Sequence, residues 1–154
     1  MSDKRKLLIV NGPNLNHLGS RDTVIYGHIT LADINIELTA RARDLDVDVE
    51  FFQSNTEGDL INFLQSRCPT AHGIIINPGA LTHYGLSLRE ALVDSRLPII
   101  EVHISNILSR EEWRSKSVVG PIAAGQVTGL GWKGYIYALD YLSKYLIQDS
   151  DDNE

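Results

Sequence analysis

Arg21 and Tyr26 stand close together in a stretch, Asn11 to Gly27, that follows the apolar run Leu7-Leu8-Ile9-Val10 and has neither helical nor strand periodicity. An uninterrupted loop of that length inside a compact domain points to function. The pair suggests a general base. A free tyrosine has a pKa of about 10, so only ~0.1% is phenolate at pH 7, a handicap of roughly 4 kcal/mol. A nearby cation favours the charged form by about 1–3 pH units, most effectively when a closing loop excludes water. Gly19 and Gly27 flank the pair and offer hinge positions. Histidine suits the opposite role, because its proton can be donated near neutral pH. His83 ends the cluster Asn77-Pro78-Gly79-Ala80-Leu81-Thr82-His83, and His103 lies within Glu101-Val102-His103-Ile104-Ser105-Asn106. The chemistry these groups support is proton transfer, with arginine as electrostatic partner and Asn and Ser as hydrogen-bonding groups.

Other chemistries find less in the chain. There is no G-x-x-x-x-G-K-[ST] phosphate loop. Gly129-Leu130-Gly131-Trp132-Lys133-Gly134 matches G-x-G-x-x-G, yet no later strand carries an acidic residue for a ribose, so these glycines are read as a tight turn and close packing. Glu101, His83 and His103 could hold zinc in principle, but no ligand spacing signals it. Ser87 and Ser105 sit in no G-x-S-x-G elbow. No cofactor or metal is expected. Fourteen Lys and Arg against twenty Asp and Glu give a net charge of −6. That balance argues against nucleic acid or an anionic membrane as partner, while leaving room for an anionic small substrate in a locally basic pocket. Cys68, the single cysteine, precludes an intrachain disulfide and is read as structural. Met1 to Lys6 is charged and the apolar run after it is too short for a secretory segment, so a cytoplasmic protein is expected.

The elements that must position these residues alternate. Leu7–Val10 is a strand buried on both faces. Thr30 caps a helix with Leu31, Ile34, Leu38, Ala42 and Leu45 on one face. Val47 to Gln53 is a strand; a helix from Thr56 carries Leu60, Ile61, Phe63 and Leu64 and ends before Pro69. Gly73–Ile76 is a central strand, followed by a helix with Leu86, Leu88, Ala91 and Leu92. Pro98–Ile104 is the fourth strand, Ser109–Lys116 one or two helical turns, and Ile122–Val127 the fifth strand. A last helix, Lys133–Leu146, aligns Ile136, Leu139, Leu142 and Leu146. This predicts one α/β domain spanning 1–154, with a core of about 7–146 and flexible tails at 1–6 and 147–154. The predicted fold is a flavodoxin-like, doubly wound, five-stranded parallel sheet in the order 2-1-3-4-5. Such sheets place their site at the carboxyl ends of the strands. Asn11 and Asn14, Asn77 to His83, and Glu101 to Asn106 all fall at that edge.

Asn11-Gly12-Pro13-Asn14-Leu15, Arg21 with Tyr26-Gly27, Gln53-Ser54-Asn55, the Asn77–His83 and Glu101–Asn106 clusters, Arg110-Glu111-Glu112-Trp113-Arg114, and Gly129-Leu130-Gly131 with Gly134-Tyr135 together resemble type II 3-dehydroquinate dehydratase. The resemblance spans roughly Leu7 to Leu146. It implies metal-free dehydration of 3-dehydroquinate to 3-dehydroshikimate in the shikimate or quinate pathway, by a homo-oligomer, usually a dodecamer built from trimers. On that resemblance Tyr26 is the base, His103 the acid oriented by Glu101, Arg21 the stabiliser of phenolate and enolate, and Asn14 the residue that positions a water. Ile104 N–H and Ser105 grip the substrate carboxylate, while Asn77, His83 and Arg114 contact ring hydroxyls. Glu90 departs from the family pattern, which has Asp at a side chain reaching a neighbouring subunit's substrate, and Gly85 replaces a larger small residue.

Overall fold

The computed structural model describes residues 4–151. Five parallel strands, β1 Lys6–Asn11, β2 Asp48–Gln53, β3 Gly73–Asn77, β4 Ile99–His103 and β5 Gly125–Thr128, form one sheet in the order 2-1-3-4-5. The helices are α1 Thr23–Tyr26, α2 Leu31–Asp44, α3 Glu57–Arg67, α4 Leu86–Ser95 and α5 Lys133–Asp151. Alternate residues of the central strands face opposite sides. Leu7, Ile9, Ile75, Ile100 and Val102 pack with α2 and α5, while Leu8, Val10, Ile74, Ile76 and Ile99 pack with α3 and α4. Both faces are therefore buried, which is why the strands read as continuous apolar runs rather than alternating ones.

Local chemistry fixes the helix ends. The Thr30 hydroxyl accepts from Asp33 N–H and the Asp33 carboxylate accepts from Thr30 N–H, a reciprocal cap on α2. Helix α4 begins at Gly85, which has no side chain to cap it, and Glu57 of α3 substitutes by accepting from Leu88 N–H at 3.0 Å. A Cβ on Gly85 would lie 2.8 Å from the Leu81 carbonyl oxygen, so the small residue here goes with that tight approach.

Several expectations are corrected. β5 starts at Gly125, not Ile122: Gly120–Ile122 is a 3₁₀ turn, and Pro121 has no N–H to give a ladder. The loop between β1 and α2 is not wholly irregular. It holds a 3₁₀ turn at Leu15–His17 and the one-turn helix α1, whose run of β-branched residues is offset by Asp22 accepting from Val24 N–H. Leu86 is exposed. Helix α5 runs to Asp151, past its last buried residue Leu146, because extending an existing helix needs no new nucleus. Of the segments expected as tails, Lys6 opens β1 and 147–151 belong to α5, while 1–3 and 152–154 lie outside the described residues. On α5 the buried stripe includes Tyr135, and Ile136 is only half-buried. The turn Gly129–Gly134 follows β5, with Gly129 and Gly131 at positive φ and Gly134 close against Val127, as a turn and packing motif requires.

At the carboxyl edge the loops after β1 and β3 interlock. Gly12 N–H donates to the Asn77 carbonyl at 2.8 Å, and a Cβ on Gly12 would sit 2.3 Å from the Pro78 oxygen. Beneath them Tyr135, fully buried, donates its hydroxyl to Asn11 Oδ1 at 2.6 Å and accepts from Asn77 Nδ2 at 2.9 Å. Burial pushes the Tyr135 phenol far above its ordinary range, so it stays a neutral donor. Replacing Tyr135 with Phe leaves two buried amides without this partner and should cost roughly 2–4 kcal/mol. Urea unfolding of Tyr135→Phe reads that loss directly as a lower midpoint.

Candidate active site

Beyond the carboxyl edge lies a cleft of about 590 Å³, open to solvent. Its walls come from the loop after β1 (Asn14, Arg21, Tyr26), the turn after β3 (Asn77, His83), the end of β4 (His103, Ile104, Ser105) and the segment after it (Arg110, Arg114). Nine of the residues singled out from the sequence are thereby brought to one place. Glu101 lies behind the cleft, fully buried. Glu90 is not in this cleft at all: it projects from the exposed side of α4 and pairs with Arg89 at 3.3 Å.

Tyr26 sits at the last position of α1, and Gly27, with φ 76°, ends the turn there. Its phenol oxygen accepts from Arg21 Nη2 at 3.1 Å and from Arg110 Nη1 at 2.9 Å. The Arg21 guanidinium also lies over the tyrosine ring, 4.1 Å from its centre. Arg110 comes from a different segment and bonds Ser105 Oγ at 3.2 Å, tying α1 across the cleft to the end of β4. Arg110 was not singled out from the sequence; it stands inside a polar run with no period to show which side chain turns inward.

His103 and Glu101 sit two apart on β4, on the same face of the strand. His103 Nε2 is 2.5 Å from Glu101 Oε2, leaving Nδ1 as the ring nitrogen for the cleft. Thr82 Oγ1 donates to the same carboxylate oxygen at 2.9 Å, and Ser117 Oγ donates to Oε1 at 2.6 Å. Burial by itself pushes the Glu101 carboxyl up. The bonded His103 ring and the Ser117 and Thr82 hydroxyls outweigh that, holding it below the ordinary glutamate range.

The remaining groups are held by their neighbours. Asn14 adopts φ 72°, and its N–H donates to Asn55 Oδ1 at 2.9 Å. Gln53 Nε2 donates to the Gly12 carbonyl at 3.2 Å, bracing the same loop. Asn77 turns its amide inward, with Nδ2 on Tyr135 and Oδ1 accepting from Gly79 N–H at 3.1 Å. His83 Nδ1 donates to the Lys116 carbonyl at 2.6 Å, and Trp113 meets its ring edge-on. Arg114 stacks 4.0 Å over Trp113 and pairs with Glu111 at 2.6 Å. Three guanidinium groups in one cleft make it locally basic in a chain of net charge −6. Among the described residues no three His, Cys, Asp or Glu side chains gather to hold a metal ion, and no helix is long and apolar enough to cross a membrane.

Comparison with known proteins gives a consistent result. The family model described as Dehydroquinase class II matches residues 5–143. A protein of Roseiflexus castenholzii named 3-dehydroquinate dehydratase is 54% identical over 137 residues, 89% of this chain and 87% of its own. One of the same name from Herpetosiphon aurantiacus is 53% identical over 136 residues, 88% of this chain and 94% of its own. The crystal structure of a type II dehydroquinase from Propionibacterium acnes superposes with a TM-score of 0.88 at 40% identity, covering 94% of this chain and 99% of that one.

The Glu101 environment has a measurable consequence. A carboxyl held low in the fold stabilises above its unfolded value, near 4.5, and that stability is lost as pH falls through the folded value. The gap in unfolding free energy between the native chain and Glu101→Gln should therefore be constant above about pH 5 and narrow steadily below pH 4.5. Urea titrations from pH 7 to pH 3 test this; a gap that does not change with pH would contradict it.

Proposed function

The chain belongs to the dehydroquinase class II family and is a hydro-lyase; on that premise we propose that it removes water from 3-dehydroquinate to give 3-dehydroshikimate through an enolate, in the shikimate or quinate pathway. The observation that carries the reading is the Tyr26 oxygen, bonded by Arg21 and Arg110 in a cleft that His103 also lines. A phenolate there accepts two charge-assisted hydrogen bonds where a neutral phenol accepts two weaker ones. The two cations thus favour the state in which Tyr26 can take the proton from the carbon alpha to the ketone.

As that C–H bond breaks, its electron pair moves into the carbonyl and an enolate forms. Arg21, and a water placed by Asn14, meet the developing oxyanion. The enolate then collapses, the carbon–oxygen bond to the departing hydroxyl breaks, and His103 supplies the proton that lets it leave as water. Glu101, ionised behind the ring, orients His103 for the transfer. Ile104 N–H and Ser105 grip the substrate carboxylate, while Asn77, His83 and Arg114 contact its hydroxyls. Asn77 does so with whatever hydrogen-bonding capacity Tyr135 and Gly79 leave it. The basic lining suits an anionic substrate, which is also how an acidic protein can bind one. No step needs a cofactor or metal.

The working form is a cytoplasmic homo-oligomer, a dodecamer of trimers, in which Glu90 reaches the substrate of a neighbouring subunit. Its exposure and its distance from its own cleft support that role.

The conjugated enone product absorbs in the ultraviolet, so turnover can be followed directly. The native protein should form product equally well with and without a chelator. Tyr26→Phe should keep its unfolding midpoint but lose about 10²–10⁴-fold in kcat, the usual contribution of a general base. A well-folded native sample that makes no product, or a Phe variant with undiminished turnover, would overturn the reading.

A further inference from the structure

We propose that Ser117 is a positioning residue for proton donation: it grips the Glu101 oxygen turned away from His103, and so fixes the carboxylate that aims the imidazole. This rests on the dehydratase reading above.

The surroundings of the Ser117 hydroxyl favour one direction. Its oxygen accepts from Val119 N–H at 3.1 Å and from Gly120 N–H at 2.8 Å, which occupies both lone pairs. Its own hydrogen is then left for Glu101 Oε1 at 2.6 Å or Thr82 Oγ1 at 3.1 Å; the carboxylate oxygen is nearer and charged, and Thr82 spends its own hydrogen on Oε2. Thr82 shares Oε2 with His103, so Ser117 is the side chain that holds Oε1. A carboxylate bonded through one oxygen can still swing about its own axis. Bonded through both, it presents Oε2 to the ring in one orientation. Among the described residues, His103 is the one titratable group bonded to Glu101; Thr82 and Ser117 are neutral.

The segment carrying Ser117 is itself anchored to the cleft wall. Lys116 accepts from His83, and Val118 N–H donates to the Thr82 carbonyl at 2.7 Å. One short stretch therefore sets the His83 ring and the Glu101–His103 pair relative to each other. Ser117 is also reachable without disturbing the core: it is half-buried and borders a second cleft with Ser115, Pro121 and Gln126.

The test compares Ser117→Ala with Ser117→Thr, which keeps the hydroxyl, and places Ser117→Ala in a Glu101→Gln background. Loss of a hydrogen bond to a buried charge should lower kcat about tenfold, with KM within about twofold because no substrate contact is removed. The acid limb of the kcat profile should move to higher pH, since one of the groups keeping Glu101 ionised is gone. Ser117→Thr should recover most of the rate, and Ser117→Ala should add little to Glu101→Gln. A Ser117→Ala enzyme with native kcat and acid limb would overturn the proposal. So would a Thr variant as impaired as Ala, or an equal loss in the Gln background. If the native protein makes no enone, the dehydratase reading fails instead. The downfield imidazole proton of His103, followed by NMR, still decides this proposal: a shift or faster exchange in Ser117→Ala supports it, and an unchanged signal overturns it.

Discussion

Two guanidinium groups within about 6 Å of each other repel by roughly 3 kcal/mol at an effective dielectric near 20. Arg21 and Arg110 nevertheless converge on a single atom, the Tyr26 oxygen. What makes such a convergence favourable is negative charge at the point where they meet. On the proposed mechanism that charge belongs to Tyr26 acting as the base. One arginine comes from the same loop as the tyrosine and the other from the segment after β4.

The fold's contribution is to hold the two halves of the reaction apart and still. The proposed base, Tyr26, lies on the loop after β1 and the proposed acid, His103, on β4, with β3 between them in the sheet. Gly12 lets the loops after β1 and β3 touch, and the buried Asn11–Tyr135–Asn77 bridge locks the strand ends underneath. On the acid side, a carboxylate sealed from water is tolerable because its ring and hydroxyl partners satisfy both of its oxygens. Charge is thus concentrated at two points of opposite sign, cationic around Tyr26 and anionic behind His103, on either side of one small volume.

Much of this was legible in the chain. Apolar runs of four or five residues separated by amphipathic helices dictate a parallel sheet, and the polar residues at strand ends mark its functional edge. Arg21, Tyr26, Glu101 and His103 were identifiable because their spacing or motif set them apart. Arg110 was not, since a run of charged residues without periodicity does not reveal which one faces inward. Thr82 and Ser117 escaped for a related reason: a hydroxyl's role depends on what it touches, and their partner, Glu101, is remote in sequence. Tyr135 lies on the same apolar face as Leu139, Leu142 and Leu146, and its hydroxyl, which needs a buried partner, hides that from a reading by hydrophobicity. The onset of β5 was misplaced because Ile122 and Ala123 are apolar for packing, while Pro121 keeps them out of the ladder.

Proton removal precedes loss of water in the proposed mechanism, and isotope exchange can watch the first step alone. In a His103→Ala enzyme, which lacks the acid, solvent deuterium should enter unreacted 3-dehydroquinate at the carbon alpha to the ketone. Removing Arg21 and Arg110 together in that background should slow this exchange at least about 100-fold, the lower end of what a positioned base contributes. Exchange that proceeds undiminished without both guanidinium groups would contradict the account.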